Sequence, residues 1–281
     1  MRPDIDTSQM TPADHAALMD AVRRLEHVGL ALKLANIVGR KVNLIKDMAP
    51  EKAIKAIDGA TMAALKLGLR VALASLWGRP IRDRDRAHKV MAAASGAAGG
   101  AFGIASLPFE LPVTTTVMLR SIADIARAEG EDLRDPETRL ACLEVFALDG
   151  RAPGENITDS GYFAIRSVLA RSVSEAARYV ASRSVIDETA PAILRLLAAV
   201  AARFGVVVSQ KLVAQATPAL GAVGGAAINV AFIEHFQSLA KGHFTVRRLE
   251  RKYGHEHIQA EYQRIAAARE PDEILPPAPA A

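Results

Sequence analysis

Apolar residues recur along this chain at helical spacing, and they predict a run of amphipathic helices from near residue 11 to past residue 250. Leu18, Val22, Leu25 and Leu32 form one apolar face, and Thr11, Pro12 and Asp14 mark its start as N-cap, first helical residue and dipole complement. A second face, Ile54, Ile57, Leu65 and Leu69, begins at Pro50-Glu51 and stops at Gly78 with Pro80 beyond. Leu107-Pro108-Phe109-Glu110-Leu111-Pro112 reads as a double-proline break that ends one helix and starts the next. That next helix sets Met118, Ile122 and Ile125 on one side and Arg120, Asp124 and Arg127 on the other. Gly130 closes it, and Asp135-Pro136-Glu137 caps a further helix to about Leu148.

Beyond a polar loop, Asp149 to Asp159, helices are expected over about 160–182 and 191–216, where Val206-Val207-Val208 also suits a short strand. Thr217-Pro218 opens a helix to about Lys241, and a charged helix follows through Tyr253. The organisation expected is a flexible segment 1–10, a helical domain 11–269 with a sub-boundary at 149–159, and a disordered tail 270–281.

Two stretches interrupt the amphipathic pattern because they hold no charge: the 20 residues between Lys89 and Glu110 and the 22 between Lys211 and Glu234. Gly96-Ala97-Ala98-Gly99-Gly100-Ala101 recurs as Gly221-Ala222-Val223-Gly224-Gly225-Ala226. Small residues at this spacing let backbones approach closely, so Gly96, Gly99, Gly100, Gly103, Gly221, Gly224 and Gly225 are read as close-packing positions. Either stretch is long enough to span a bilayer, but one is mostly Ala and Gly and ends at prolines, and the other contains Pro218, Gln215 and Asn229. Core helices are the leading reading, with partial or reversible membrane association and true spanning as the alternatives.

Composition narrows the class. Half of the 281 residues are hydrophobic and 5% are aromatic, which favours an all-α, multi-helix bundle with two glycine-rich, closely packed central segments. The net charge of +4 comes from intermixed 35 basic and 31 acidic residues, so no nucleic-acid partner is expected. The dense basic run Arg247, Arg248, Arg251 and Lys252 reads as a solvated helix face, or else as a contact for anionic lipid or nucleic acid. The single cysteine, Cys142, excludes an internal disulfide framework, and the acidic start of the chain lacks a secretion-signal pattern.

Chemistry-bearing residues are few. Glu110 is the sole formal charge between Lys89 and Arg120, and it serves either the helix dipole or a cleft as base or ligand. Asn229 lies on an apolar face with Phe232, Ile233 and Phe236, as an interhelical clamp or a recognition group. Glu234 and His235 follow it, Glu234 on the polar side with Ser238 and Lys241. Arg120 and Asp124 suit a surface charge ladder. His235, His243, His255 and His257 gather late beside acidic residues but lack metal-ligand spacing, so neither metal nor cofactor is expected.

Three segments carry a family resemblance: Gly96-x-x-Gly99-Gly100-x-x-Gly103 with Leu107-Pro108-x-Glu110-Leu111-Pro112; Arg120-x-Ile122-Ala123-Asp124-Ile125-Ala126 with Gly130-Glu131-Asp132-Leu133-x-Asp135-Pro136-Glu137; and Gly221-x-x-Gly224-Gly225-Ala226-x-x-Asn229-x-x-Phe232. Together, over about residues 85–260, they resemble the EcsC family of bacterial proteins. The family takes its name from a protein encoded beside an ABC transporter's ATPase and membrane subunits. The resemblance therefore implies a cytoplasmic or inner-membrane-peripheral accessory or interaction protein linked to ABC transport or secretion, with a membrane surface, a membrane protein or a second copy as partner. It carries no catalytic residue with it. The alternatives are a hydrolase with a site near Glu110 and the second glycine block, or a binder of a small apolar ligand.

Overall fold

Thr11 opens the first helix as the sequence requires: its side chain accepts from the Asp14 amide, and Pro12 follows at the first helical position. The computed structural model describes residues 10–26, 30, 34, 51–75, 107–149, 161–183, 187, 189–215 and 221–268. Within them lie eight α-helices and no strand: α1 Pro12–Leu25, α2 Glu51–Ser75, α3 Leu107–Ala128, α4 Pro136–Glu144, α5 Tyr162–Ala181, α6 Pro191–Gln215, α7 Gly221–Tyr253 and α8 His255–Ala267. The fold is all-α. A 3-10 turn, Val145–Ala147, extends α4 into the core.

α7 organises the bundle. Its 33 residues pack on α1, α3, α6 and α8, while α2 lies against α3, α4 and α6, and α5 bridges α4 and α6. The core between them is aliphatic around a cluster of four rings, in which Phe146 sits 4.9 Å from Phe204 and 5.3 Å from Phe236, and Phe232 sits 5.2 Å from Phe236. The rings of this cluster meet edge-on or tilted, and a second cluster joins Tyr162, Phe163 and Tyr262.

Several expectations change. Pro112 lies inside α3 instead of dividing two helices. Near the start of a helix its missing N–H removes one rung of the backbone ladder, and the Pro112 carbonyl still accepts from the Thr116 hydroxyl at 2.8 Å. The helix expected to end near Lys241 continues through Gly242 to Tyr253 and stops at Gly254, which has φ +90°. Gly242 persists in mid-helix because α1 crosses there: a Cβ would lie 2.7 Å from Leu25 Cγ and 3.1 Å from the Ala21 carbonyl oxygen. Val206-Val207-Val208 is helical, within α6, and α8 adds a helix that the pattern did not reveal. Ile54 is 44% exposed, whereas its expected companions Ile57, Leu65 and Leu69 are buried.

The first glycine block, Leu32, the Gly78-Pro80 stop, Pro218 and most of the 149–159 loop lie outside the described residues, as does the 270–281 tail. In the second block Gly221, Gly224 and Gly225 form the opening turns of α7, and Gly225 is buried.

Candidate functional site

Where α3, α6 and α7 meet, the core turns polar. Glu110 stands in the first turn of α3 and Lys211 in the last turns of α6, and Nζ lies 2.7 Å from Oε1 with the side chains 1% and 5% exposed. Lys211 Nζ also lies 4.9 Å from the centre of the Phe232 ring, so an ion pair and a cation–π contact share one ammonium. Burial pulls the lysine pKa down, against the pull of Glu110. Asn229, one turn before Phe232 on α7, is fully buried, as is Arg203, two turns before Lys211 on α6. Further along the same seam the Gln237 amide donates to Ser121 at 2.7 Å, and His235 Nε2 lies 2.8 Å from an Asp149 oxygen.

Glu110 meets Lys211 inside the core, a contact that neither the dipole reading nor the cleft reading of this residue anticipated. The cation lies 101 positions away, at the edge of a stretch read only for its lack of charge. Both side chains are shut from solvent, and the pair ties α3 to α6.

The remaining candidates scatter. Glu234 is exposed. Asp124, 23% exposed, pairs with Arg127, 10% exposed, at 2.9 Å, so this part of the stripe lies more inside than the expected surface ladder. His243 is buried with Tyr162, and His255 holds Glu250 on the other side of the α7–α8 turn. Among the described residues, no three histidine, cysteine, aspartate or glutamate side chains converge in a way that could hold a metal ion. Cys142 is buried, which pushes its thiol up to about 12 and leaves it unreactive.

A second polar cluster escaped the sequence reading. The Tyr162 hydroxyl and His243 Nδ1 lie 2.9 Å apart inside the protein, Arg166 reaches the same hydroxyl at 3.4 Å, and Arg166 grips Glu250 through two bonds of 2.8 Å each. Arg247 holds both oxygens of Glu131 at 2.9 and 3.3 Å. Glu144, the last residue of α4, is 3% exposed, and its Oε1 has no hydrogen-bond partner among the described residues. These residues come from α4, α5, α7 and the loop before α4, so only the tertiary fold unites them.

The basic run is matched by carboxylates throughout. Arg248 bonds Glu129 at 2.8 Å and Asp14 at 3.0 Å, Lys252 bonds Asp14 at 2.7 Å, and Arg251 joins Arg247 on Glu131. Tyr253 completes the Asp14 site at 2.7 Å. Lys252, Tyr253 and the other donors hold the Asp14 carboxyl well below the usual carboxylate range. What looked like a free cationic face is the seam that fastens α7 to α1 and to the α3–α4 loop.

One helix among the described residues, Pro191–Ala214 of α6, is long and apolar enough by length and composition to cross a membrane, with a mean hydropathy of 1.9 in its most apolar window, of which 44% is buried. It is not either of the charge-free stretches singled out in the sequence. No curated protein and no solved structure matches the chain. Residues 16–249, which include the Glu110–Lys211 pair, Asn229 and, of the basic run, Arg247 and Arg248, match the EcsC protein family. The chain belongs to the EcsC family.

Proposed function

We propose that this EcsC-family protein is an accessory or interaction protein at the inner face of the membrane, seated there through the outer side of α6. The observation that carries this reading is the way α6 divides its residues. Arg203 and Lys211 are buried, whereas the outward positions Leu194, Ala198, Ala202, Gly205 and Ser209 bear no charge. Among the described residues, a Cβ at Gly205 would meet nothing within 4 Å. Beyond Arg195 the outer side of the helix therefore offers a small-residue, uncharged surface, suited to the headgroup–acyl boundary or to a close-packed helix of a membrane protein. The two inward cations favour lying on the membrane over crossing it, because insertion would strip Lys211 from Glu110. A link to ABC transport or secretion rests on the family's context alone.

Sedimentation of the purified protein with anionic and with neutral vesicles, across a range of salt, tests this. The expected result is binding that survives high salt, since the basic run is already matched by carboxylates, and that is lost in Ala202→Glu. Absence of binding to both vesicle types, together with wholly soluble fractionation from cells, would overturn it and favour a soluble binder of a small apolar ligand.

A further inference from the structure

Glu144 is the carboxyl that the second polar cluster leaves over. Two cations lie near enough to act on it, and both are committed elsewhere: Arg166 to the two oxygens of Glu250, and Arg247 to the two oxygens of Glu131. Among the described residues its buried Oε1 has no hydrogen-bond partner. An ionised carboxylate in that position would be desolvated without compensation, whereas a protonated one is an ordinary neutral group.

The location gives this proton mechanical reach. Glu144 joins α4 to the Val145–Ala147 turn, whose three residues are wholly buried and pack against α6 and α7. Arg166 ties α5 to α7, and Arg247 ties α7 to the loop before α4. We propose that Glu144 is a proton switch: protonated it rests neutral in the core, and once ionised it competes for Arg166 and Arg247 and loosens their ties to Glu250 and Glu131.

The surrounding charges agree with this assignment. Burial lifts the Glu144 carboxyl up to about 7, with Arg166 and Arg247 pulling it down and Glu137 and Glu250 pushing it further up. From α5 the cluster also receives Tyr162, whose burial raises its phenol, and from α7 it receives His243, which burial together with Arg166 and Arg247 holds well below the usual histidine range. His243 therefore stays neutral while Glu144 titrates. Of the other helices packed on α4, α3 carries the internally paired Asp124 and Arg127, and α2 carries Lys66 and Arg70 along its second half. Arg139 of α4 itself is bound to the Leu73 carbonyl at 2.9 Å.

The sign follows from proton counting. An unfolded glutamate titrates near 4.3, so between that value and about 7 the folded protein holds a proton that the unfolded chain has released. The Glu144 contribution to stability is largest at the acidic end of the window and falls as pH rises, by on the order of a few hundredfold in the folding constant, levelling above neutrality.

Urea unfolding of the whole chain followed by circular dichroism, between about pH 5 and 8, compares wild type with Glu144→Gln. The wild type is expected to lose stability with rising pH and the variant to stay nearly flat. Difference infrared spectra of the wild type should show a protonated buried carboxyl at about pH 6 that disappears by about pH 8, and amide exchange in α5 and the second half of α7 should quicken over the same interval beyond its intrinsic rise. Equal pH slopes in the two proteins would overturn the proposal. If Glu144→Gln fails to fold, the wild type decides alone: no carboxyl signal at about pH 6, or no excess exchange, overturns it.

Discussion

Lys211 on α6 reaches Glu110 on α3 at 2.7 Å, with both groups shut inside the core. Removing two charges from water costs several kcal/mol for each, and the pair recovers this only while both members are present. Lys211→Met should therefore destabilise the protein by about 3–5 kcal/mol by stranding a carboxylate, and Glu110→Gln combined with Lys211→Met should recover most of the loss. Urea denaturation of the single and double variants checks this through the coupling energy of the cycle. Additive losses would show that the two groups do not act as a pair.

Asp14 predicts acid sensitivity at the α1–α7 seam. Its folded pKa is depressed, so its contribution is complete above the unfolded carboxylate range near 4 and is lost as pH falls below it. Asp14→Asn should cost about 2 kcal/mol at neutral pH and shrink the further loss on acidification. Thermal melts at neutral pH and at about pH 3 measure both effects.

Two glycines should answer the same substitution with opposite sign. Gly242→Ala drives a methyl against Leu25 and the Ala21 backbone and should destabilise by about 1–3 kcal/mol. Gly205→Ala adds its methyl in open space on a helix and should stabilise by about 0.5–1 kcal/mol. The midpoints of denaturant unfolding separate the two.

The Tyr162–His243 contact gives a smaller, local prediction. Tyr162→Phe keeps the ring packing and removes the hydroxyl at 2.9 Å from Nδ1, for an expected loss of about 1 kcal/mol. The histidine Nδ1 resonance should shift by nitrogen-15 NMR; an unchanged resonance would refute the bond.

Much of the fold is legible in the sequence where the cause is local. Thr11 and Asp135 announce helix starts because a cap is a contact between neighbours two or three residues apart, and both accept the expected amide. Asn229 can be assigned to an apolar face from Phe232, Ile233 and Phe236 because helical spacing alone decides it. Lys211 cannot be matched to Glu110 in this way, nor Arg247 to Glu131, since the distance along the chain is 101 and 116 positions and nothing in either neighbourhood names the other. For the same reason the basic run looks solvated and Gly242 passes for a helix end: both depend on α1 and the α3–α4 loop lying across α7, which no local pattern encodes. Glu144 is hidden for the opposite reason, because its distinction is the lack of a partner for one oxygen, which only a folded neighbourhood can define.

The Asp14 seam also sets a timetable for biosynthesis. The donors that clasp Asp14 lie 234 to 239 positions later in the chain. At about 5–20 residues per second, a ribosome needs on the order of 10–50 s to make the intervening segment. For that interval α1 exists with Leu18, Ala21 and Val22 made but without the long helix that covers them. α1 is thus made long before it can dock, and it is the emergence of the Arg248–Tyr253 turn that releases the nascent chain from its dependence on whatever shields α1 in the meantime.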